Sequence, residues 1–407
     1  MEEATVGVRA KQRENLMKLD EVYSSYMIDF IKRICAEIGP RLGTTEGEKR
    51  AGQETKKEYD KFCDETFSEE FECRPKAFLD FIWVSTILFI AGVALYFCYP
   101  VVTAVLGTLT LLVFLFEQMF LKEAVDFLFP QRKSANIYGK IKPKEETKQL
   151  VLLGSHHDSA YEFPLFNKLG RNVIKFTYLV VGCGVLTILL AVVRTINQLV
   201  DLGLRQVLDL FFVVPLVGCV LIIYFALNLR SSRLVLGAND NLSGVAVTLA
   251  IAKYLHKKRP KFTEVWAISF GCEECMRGSK RFASKHAAEI AKAYLVNFDS
   301  VGVGKISIVN EEKMFTAKHS TELCKLVQES AAKAGFALDI KAMDFGGTDA
   351  ANFSKAGLKA ATIIGRDGAF WKFWHSLQGT PEVIEADNLF ACAEIGIQFI
   401  EDLDSIF

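Results

Sequence analysis

Apolar and polar positions follow three different rhythms along this chain. Over residues 11–38 the side chains Leu16, Leu19, Tyr23, Met27, Phe30, Ile31 and Ile34 recur every three or four positions, which predicts an amphipathic helix stopped by Gly39-Pro40. Gly43-Thr44-Thr45-Glu46 reads as a turn into a second amphipathic helix ending near Phe62. Over 67–73 apolar residues alternate with acidic ones, the two-residue period of an edge strand.

The second rhythm is unbroken hydrophobicity. No residue in 81–116 is charged, a run too long for one helix across a hydrocarbon core of about 30 Å, where about 20 residues suffice. Pro100 lies near its middle, so a tight transmembrane hairpin, 79–98 and 101–120, is expected rather than a buried soluble one. Two further runs, 176–193 and 210–229, flank a polar loop containing Arg194, Asp201 and Arg205 and predict a second hairpin.

The third rhythm alternates strands with helices. Residues 134–141 and 149–153 read as two strands joined by a polar turn, a β-hairpin. After Arg233, strand-like runs at 263–270, 294–298, 306–309 and 360–364 are separated by helices near 245–255, 279–292, 320–334 and 387–403, with Gly335 suited to end the third. This pattern predicts an α/β fold, a mostly parallel mixed sheet covered by helices on both faces. The expected division is one domain made of 1–77, 122–172 and 230–407, interrupted by membrane hairpins at 78–121 and 173–229.

Composition changes the picture only slightly. Lys plus Arg and Asp plus Glu number 48 each, so nothing favours a nucleic-acid partner. Ten scattered cysteines read as reduced thiols, and residues 1–20 lack the apolar core of a cleaved signal. Cys272 and Cys275 form a CxxC that could be a redox or zinc pair, although no second CxxC accompanies it.

The chemistry gathers where apolar strands end. Phe270 is followed by Gly271-Cys272-Glu273-Glu274, and adjacent carboxylates at a strand end can face a cation and a water separately, although an isolated pair is more often simply solvated. His156 and Asp158 follow Leu153, Asp299 follows Phe298, and His375 lies beyond Ile364. Open α/β sheets bind ligands at the carboxyl ends of their strands, so these residues can meet. Asp240 joins them from a glycine-bounded loop that opens a helix. Two imidazoles and several carboxylates suit a pair of borderline divalent ions such as zinc, manganese or cobalt.

The segments resemble peptidase family M28, the zinc aminopeptidases. His156-His157-Asp158-Ser159, Gly237 through Gly244, Glu273-Glu274 with Gly278-Ser279, Asn297-Phe298-Asp299 with Gly302, and His375-Ser376 match the family motifs in order, as does the opening Gly39-Pro40-Arg41 with Gly43-Thr44. The resemblance implies two divalent ions, most simply Zn2+, with Asp240 bridging them. His156 and Asp299 would complete one site, and Glu274 and His375 the other. Glu273 would be general base and then general acid, and Asp158 would orient His156. Gly346 through Phe353 resembles the family's Ser-Asp-His segment, with Ala350 where histidine is common. His157 reads as a packing residue, and His256, His286 and His319 as solvated.

The apolar hairpins interrupt the motifs. His156, Asp240 and the amino-terminal opening can share one domain only if each insertion crosses the bilayer an even number of times. The flanks on the site's side carry Arg74, Lys76, Lys122, Arg132, Lys133, Lys168, Arg171, Lys175, Arg230 and Arg233, against Arg194 and Arg205 beyond the membrane. An excess of basic residues marks the cytoplasmic side, so the site is expected to face the cytoplasm. The expected function is a membrane-anchored dinuclear exopeptidase acting on peptide amino termini. The alternatives are a glutaminyl-cyclase-like aminoacyltransferase, known on the same motif set, and a catalytically inactive peptidase-like binding protein.

Overall fold

The computed structural model describes residues 18–366 and 370–407. The start of the helix expected over 11–38, with Leu16, lies outside them, as does most of the segment read as lacking a cleaved signal.

The chain forms two compact units. One contains the residues up to Pro75, Arg132–Tyr161 and Arg233–Phe407, and the other contains Lys76–Gln131 and Glu162–Ser232. All nine strands among the described residues lie in the first. They are β1 (Glu65–Cys73), β2 (Arg132–Ile141), β3 (Gln149–His156), β4 (Thr263–Phe270), β5 (Tyr294–Asp299), β6 (Ile306–Glu312), β7 (Ala317–Lys318), β8 (Asp339–Met343) and β9 (Lys359–Gly365). Their order across the sheet is β1-β2-β4-β3-β5-β9-β6-β7, with β8 beside β6. The centre, β4-β3-β5-β9, is parallel, while β1, β2 and β7 pair antiparallel at the edges.

The sheet overturns one expectation. β2 and β3 do not form a hairpin, because β4 inserts between them, antiparallel to β2 and parallel to β3. Val151 through His156 is buried at every position, and such a strand needs covering on both faces and pairing on both edges. A polar turn between two strands therefore does not fix their adjacency. β7 and β8 were not anticipated from the sequence.

Strand periodicity sorts the two cores. Val265 and Ala267 of β4 face one side with Val151, Leu153, Val296, Phe298 and Ile363, beneath the helices Glu21–Glu37, Glu46–Phe62, Ser243–Lys257, Thr321–Lys333 and Ala386–Asp404. Trp266, Ile268 and Phe270 face the other side with Leu152 and Leu295, against Phe282 and Phe353. Asp20 caps the first of these helices by accepting from the Val22 amide at 3.1 Å. Gly335 follows Thr321–Lys333 with φ 84°, as expected of a residue just past a helix end. The helix expected over 279–292 is shorter, Gly278–Lys285, and His286 just after it directs its two ring nitrogens to Glu69 (2.9 Å) and Glu289 (3.0 Å).

The second unit holds four helices long and apolar enough to cross a membrane, Ala77–Ala94, Pro100–Met119, Pro164–Val200 and Arg205–Asn228. Small residues let them approach closely: a Cβ on Gly107 would meet Ile188, and one on Gly218 would meet Phe89. Two of their buried polar side chains are paired within the unit. Arg194 lies 2.5 Å from Asp209, and Thr103 donates to the Gly92 carbonyl at 2.6 Å.

Candidate metal centre

The site is built where parallel strands end together. His156 is the last residue of β3 and pairs in register with Phe270, the last of β4. Asp299 ends β5 opposite Ile364 of β9. Glu273 and Glu274 follow β4 in a single tight turn flanked by Cys272 and Met276, both with positive φ. Asp240 comes from the loop before the helix Ser243–Lys257, and its peptide bond to Asn241 is cis. That loop starts at Gly237, φ 58°, where a Cβ would strike the Asp240 carbonyl and Ser159, so only glycine fits.

The two carboxylate oxygens of Asp240 reach different imidazoles. Oδ1 lies 3.2 Å from His156 Nε2, and Oδ2 lies 3.2 Å from His375 Nε2. His375 Nε2 is also 3.0 Å from Glu274 Oε2, while His156 Nε2 is 3.5 Å from Glu273 Oε2 and 3.9 Å from Asp299 Oδ2. Trp374 stacks on the His375 ring at 4.0 Å. Among the described residues, His156, Asp240 and Glu274 each bring one ligand atom within 4.8 Å of the others, and so do His156, Glu273 and Asp299. The sequence placed Glu274 with His375 and left Glu273 outside the ligand set. By distance alone Glu273 is close enough to ligate.

The donors fit divalent cations. Neither ring nitrogen of His156 makes a hydrogen bond, nor do Oε1 of Glu273 and Oε1 of Glu274. Asp158, Asp240, Glu273 and Asp299 are buried, and uncompensated carboxylates crowded in this way are very costly. Burial and neighbouring charge pull against each other at Glu273, Asp299, Asp240 and His375. Burial drives Glu273 well above the usual carboxylate range despite the nearby His156. Burial, reinforced by the charge of Asp240, pushes Asp299 up to about 8. Burial also works against Asp240, but the imidazoles of His156 and His375, each 3.2 Å away, hold it low. For His375, burial is outweighed by Glu274 and Asp240, which raise it to about 9. Cations would relieve each of these conflicts.

A model of peptidase family M28 matches residues 224–400, the stretch that carries Asp240, Glu273, Glu274, Asp299 and His375. This segment of the chain is similar to peptidase family M28. No curated protein matches the chain in sequence. Among solved structures, the chain is similar to a leucine aminopeptidase precursor from Bacteroides thetaiotaomicron, at 15% identity over 93% of this chain and 97% of that one, with a TM-score of 0.55. It is similar to a Zn-dependent exopeptidase from Parabacteroides distasonis, at 15% identity over 93% and 98%, TM-score 0.55. A glutaminyl cyclase from Fimbriiglobus ruber is equally similar, at 16% identity over 95% and 96%, TM-score 0.56.

Three contributions to the site carry no signal of their role in the sequence. The guanidinium of Arg41, fully buried, donates to the carbonyls of Gly39, His157, Leu236 and Gly237 at 2.6–3.1 Å, tying together the loops that carry Asp158 and Asp240. Glu48, also buried, accepts from the Cys272 amide (2.7 Å), the Ser134 hydroxyl (2.8 Å) and the Thr44 amide (2.6 Å). Asp349 is buried at the start of the helix Asp349–Lys355, and its charge bears on Glu273. The segment resembling Ser-Asp-His thus carries Asp349 beside Ala350.

The remaining histidines divide. His157 is buried, with Nδ1 2.9 Å from the Ser269 hydroxyl and Nε2 against Gly52, a packing role. His319, expected to be solvated, is instead buried between Glu312 (3.1 Å) and Ser354 (2.8 Å), because the strand pairing of Ala317–Lys318 carries it inward.

Proposed function

We propose that this chain is a membrane-anchored exopeptidase that holds two divalent ions and hydrolyses the amino-terminal peptide bond of peptides. The observation that carries the reading is Asp240, with one carboxylate oxygen toward His156 and the other toward His375, the arrangement of a bridging ligand between two sites. His156 and Asp299 complete one site, and Glu274 and His375 the other. The zinc named for similarly folded structures suits this set of imidazoles and carboxylates.

When bound, such ions would polarise the scissile carbonyl and acidify a water molecule. The chain supplies the proton transfers. Glu273 has a carboxylate oxygen with no hydrogen-bond partner and an amide anchored on Asp158 at 3.1 Å. It takes a proton from the attacking water and returns it to the leaving amine. Asp158 fixes the His156 ring through Nδ1. The four apolar helices anchor the domain at a bilayer, with the site toward the cytoplasm as the flanking basic residues require.

A mixed-peptide digest with detergent-solubilised protein tests this. Amino-terminal residues should be released, two ions should be held per chain, and Glu273→Gln should retain metal while kcat falls about 10²- to 10⁴-fold. Unchanged turnover in that variant would remove Glu273 as the base. The fold is shared equally with glutaminyl cyclases, which supports a second reading, cyclisation of amino-terminal glutamine. Release of ammonia without a free amino acid would select it.

A further inference from the structure

The turn that carries Glu273 and Glu274 is bracketed by thiols that the proposed hydrolysis does not use. Cys272 Sγ lies 3.7 Å from Cys73 Sγ at the end of β1, and Cys275 Sγ lies 3.1 Å from the Cys272 carbonyl oxygen. All three are buried. Cys73 and Cys272 are 199 positions apart, brought together because β1 runs antiparallel to β2, and β2 to β4.

We propose that Cys73 and Cys272 are an oxidative modification site, a reversible disulfide that pulls the Glu273-Glu274 turn away from its partners. The functional consequence rests on the peptidase reading above, whereas formation of the bond does not. A hydroperoxide is the oxidant class small enough for so enclosed a pair. The Cys73 thiolate attacks the peroxide oxygen, giving Cys73 sulfenic acid and hydroxide. The Cys272 thiol then attacks that sulfur, forming the S–S bond, and its proton with the departing hydroxide leaves as water. The sum is two thiols and one peroxide to one disulfide and two waters, and a thiol or phosphine reductant reverses it.

Three features suit Cys73 and Cys272 to this. Hydrogen bonds with Cys272 and Cys275, and the nearby guanidinium groups of Arg277 and Arg281, hold the Cys73 thiol down to about 4, so it is the nucleophile of the pair. Cys272 has φ 51° and sits hard against Gly43, where a Cβ would come within 2.9 Å of its sulfur, so it has little freedom except toward Cys73. Closing 3.7 Å to the about 2.0 Å of a covalent bond is shared between rotation of the two side chains and movement of the turn that carries Cys272. The backbone of that turn is the anchor of the site: the Cys272 amide donates to Glu48 at 2.7 Å, and the next two amides donate to Asp158 at 3.1 and 3.2 Å. A shift of about 1 Å at such a position costs about 10²-fold in rate.

The full-length protein, zinc-loaded in detergent, is treated with hydrogen peroxide, alkylated and mapped by non-reducing peptide mass spectrometry beside a peptidase assay. The expected result is a Cys73–Cys272 linked peptide, activity down about 10²-fold, and recovery of both with a phosphine reductant. Cys73→Ser should retain basal activity, form no linkage and resist peroxide. A Cys272–Cys275 bond in place of the expected one, over-oxidised thiols without linkage, or equal peroxide sensitivity of Cys73→Ser overturns the proposal. Linkage in a protein with no peptidase activity at any stage leaves the modification site standing and removes the peptidase reading instead.

Discussion

Oδ1 of Asp158 lies 3.3 Å from Nδ1 of His156, the ring nitrogen opposite the one that faces Asp240. The same carboxylate accepts from the backbone amides of Glu273 and Glu274. One buried side chain thus sets the orientation of the His156 ring and the position of the turn after β4. Asp158→Asn replaces one acceptor oxygen by a donor facing these groups, and should lower metal affinity or kcat about 10- to 100-fold without unfolding the chain. Zinc competition titration beside steady-state kinetics checks it.

Asp240 and Glu274 should differ in their effect on metal content. Asp240→Ala removes the group shared by His156 and His375 and should empty both positions, whereas Glu274→Ala should reduce about two ions per chain to about one. Elemental analysis of the purified variants reads this directly. Equal occupancy in the two variants would refute the bridging role.

Arg41 serves four carbonyls from three parts of the chain. Arg41→Met would leave those acceptors buried and unpaired, and a stability loss of about 3 kcal/mol or more is expected. Arg41→Lys should recover only part of it, since an ammonium lacks the planar fork of donors. Denaturant unfolding of the detergent-solubilised protein gives both values.

His157 gives a pH signature. Burial lowers it from 6.5 to about 4, so the folded protein holds it neutral where the unfolded chain would protonate it. Its contribution is present above pH about 6.5, is lost as pH falls from there toward 4, and is constant below, amounting to at most about 3 kcal/mol. The stability difference between wild type and His157→Gln should therefore change across that window and nowhere above it.

Membrane orientation can be read with a native thiol. Cys98 is exposed between the helices Ala77–Ala94 and Pro100–Met119. With the site cytoplasmic, a membrane-impermeant maleimide should label Cys98 in intact cells without permeabilisation. Labelling only after permeabilisation would invert the topology.

Much of this was legible along the chain because it is local. Apolar runs of membrane length, the strand-to-helix rhythm after Arg233, and ligand-type residues placed just beyond strands all depend on neighbours within a few positions. The failures were non-local. The polar turn joining residues 134–141 and 149–153 predicts a hairpin, yet β4 lies between them. His319 was read as solvated from its flanks, yet pairing of β7 with β6 buries it.

The sequence by itself determined the fold class and marked ligand-type residues just beyond strand ends, since period and residue chemistry are properties of short segments. Only the tertiary structure decided how those residues are held. Arg41, Glu48 and Asp158 act on loops up to 224 positions away, and Cys73 meets Cys272 across three strands. Buried charges find their partners by packing, and packing brings together positions whose sequence separation carries no signal.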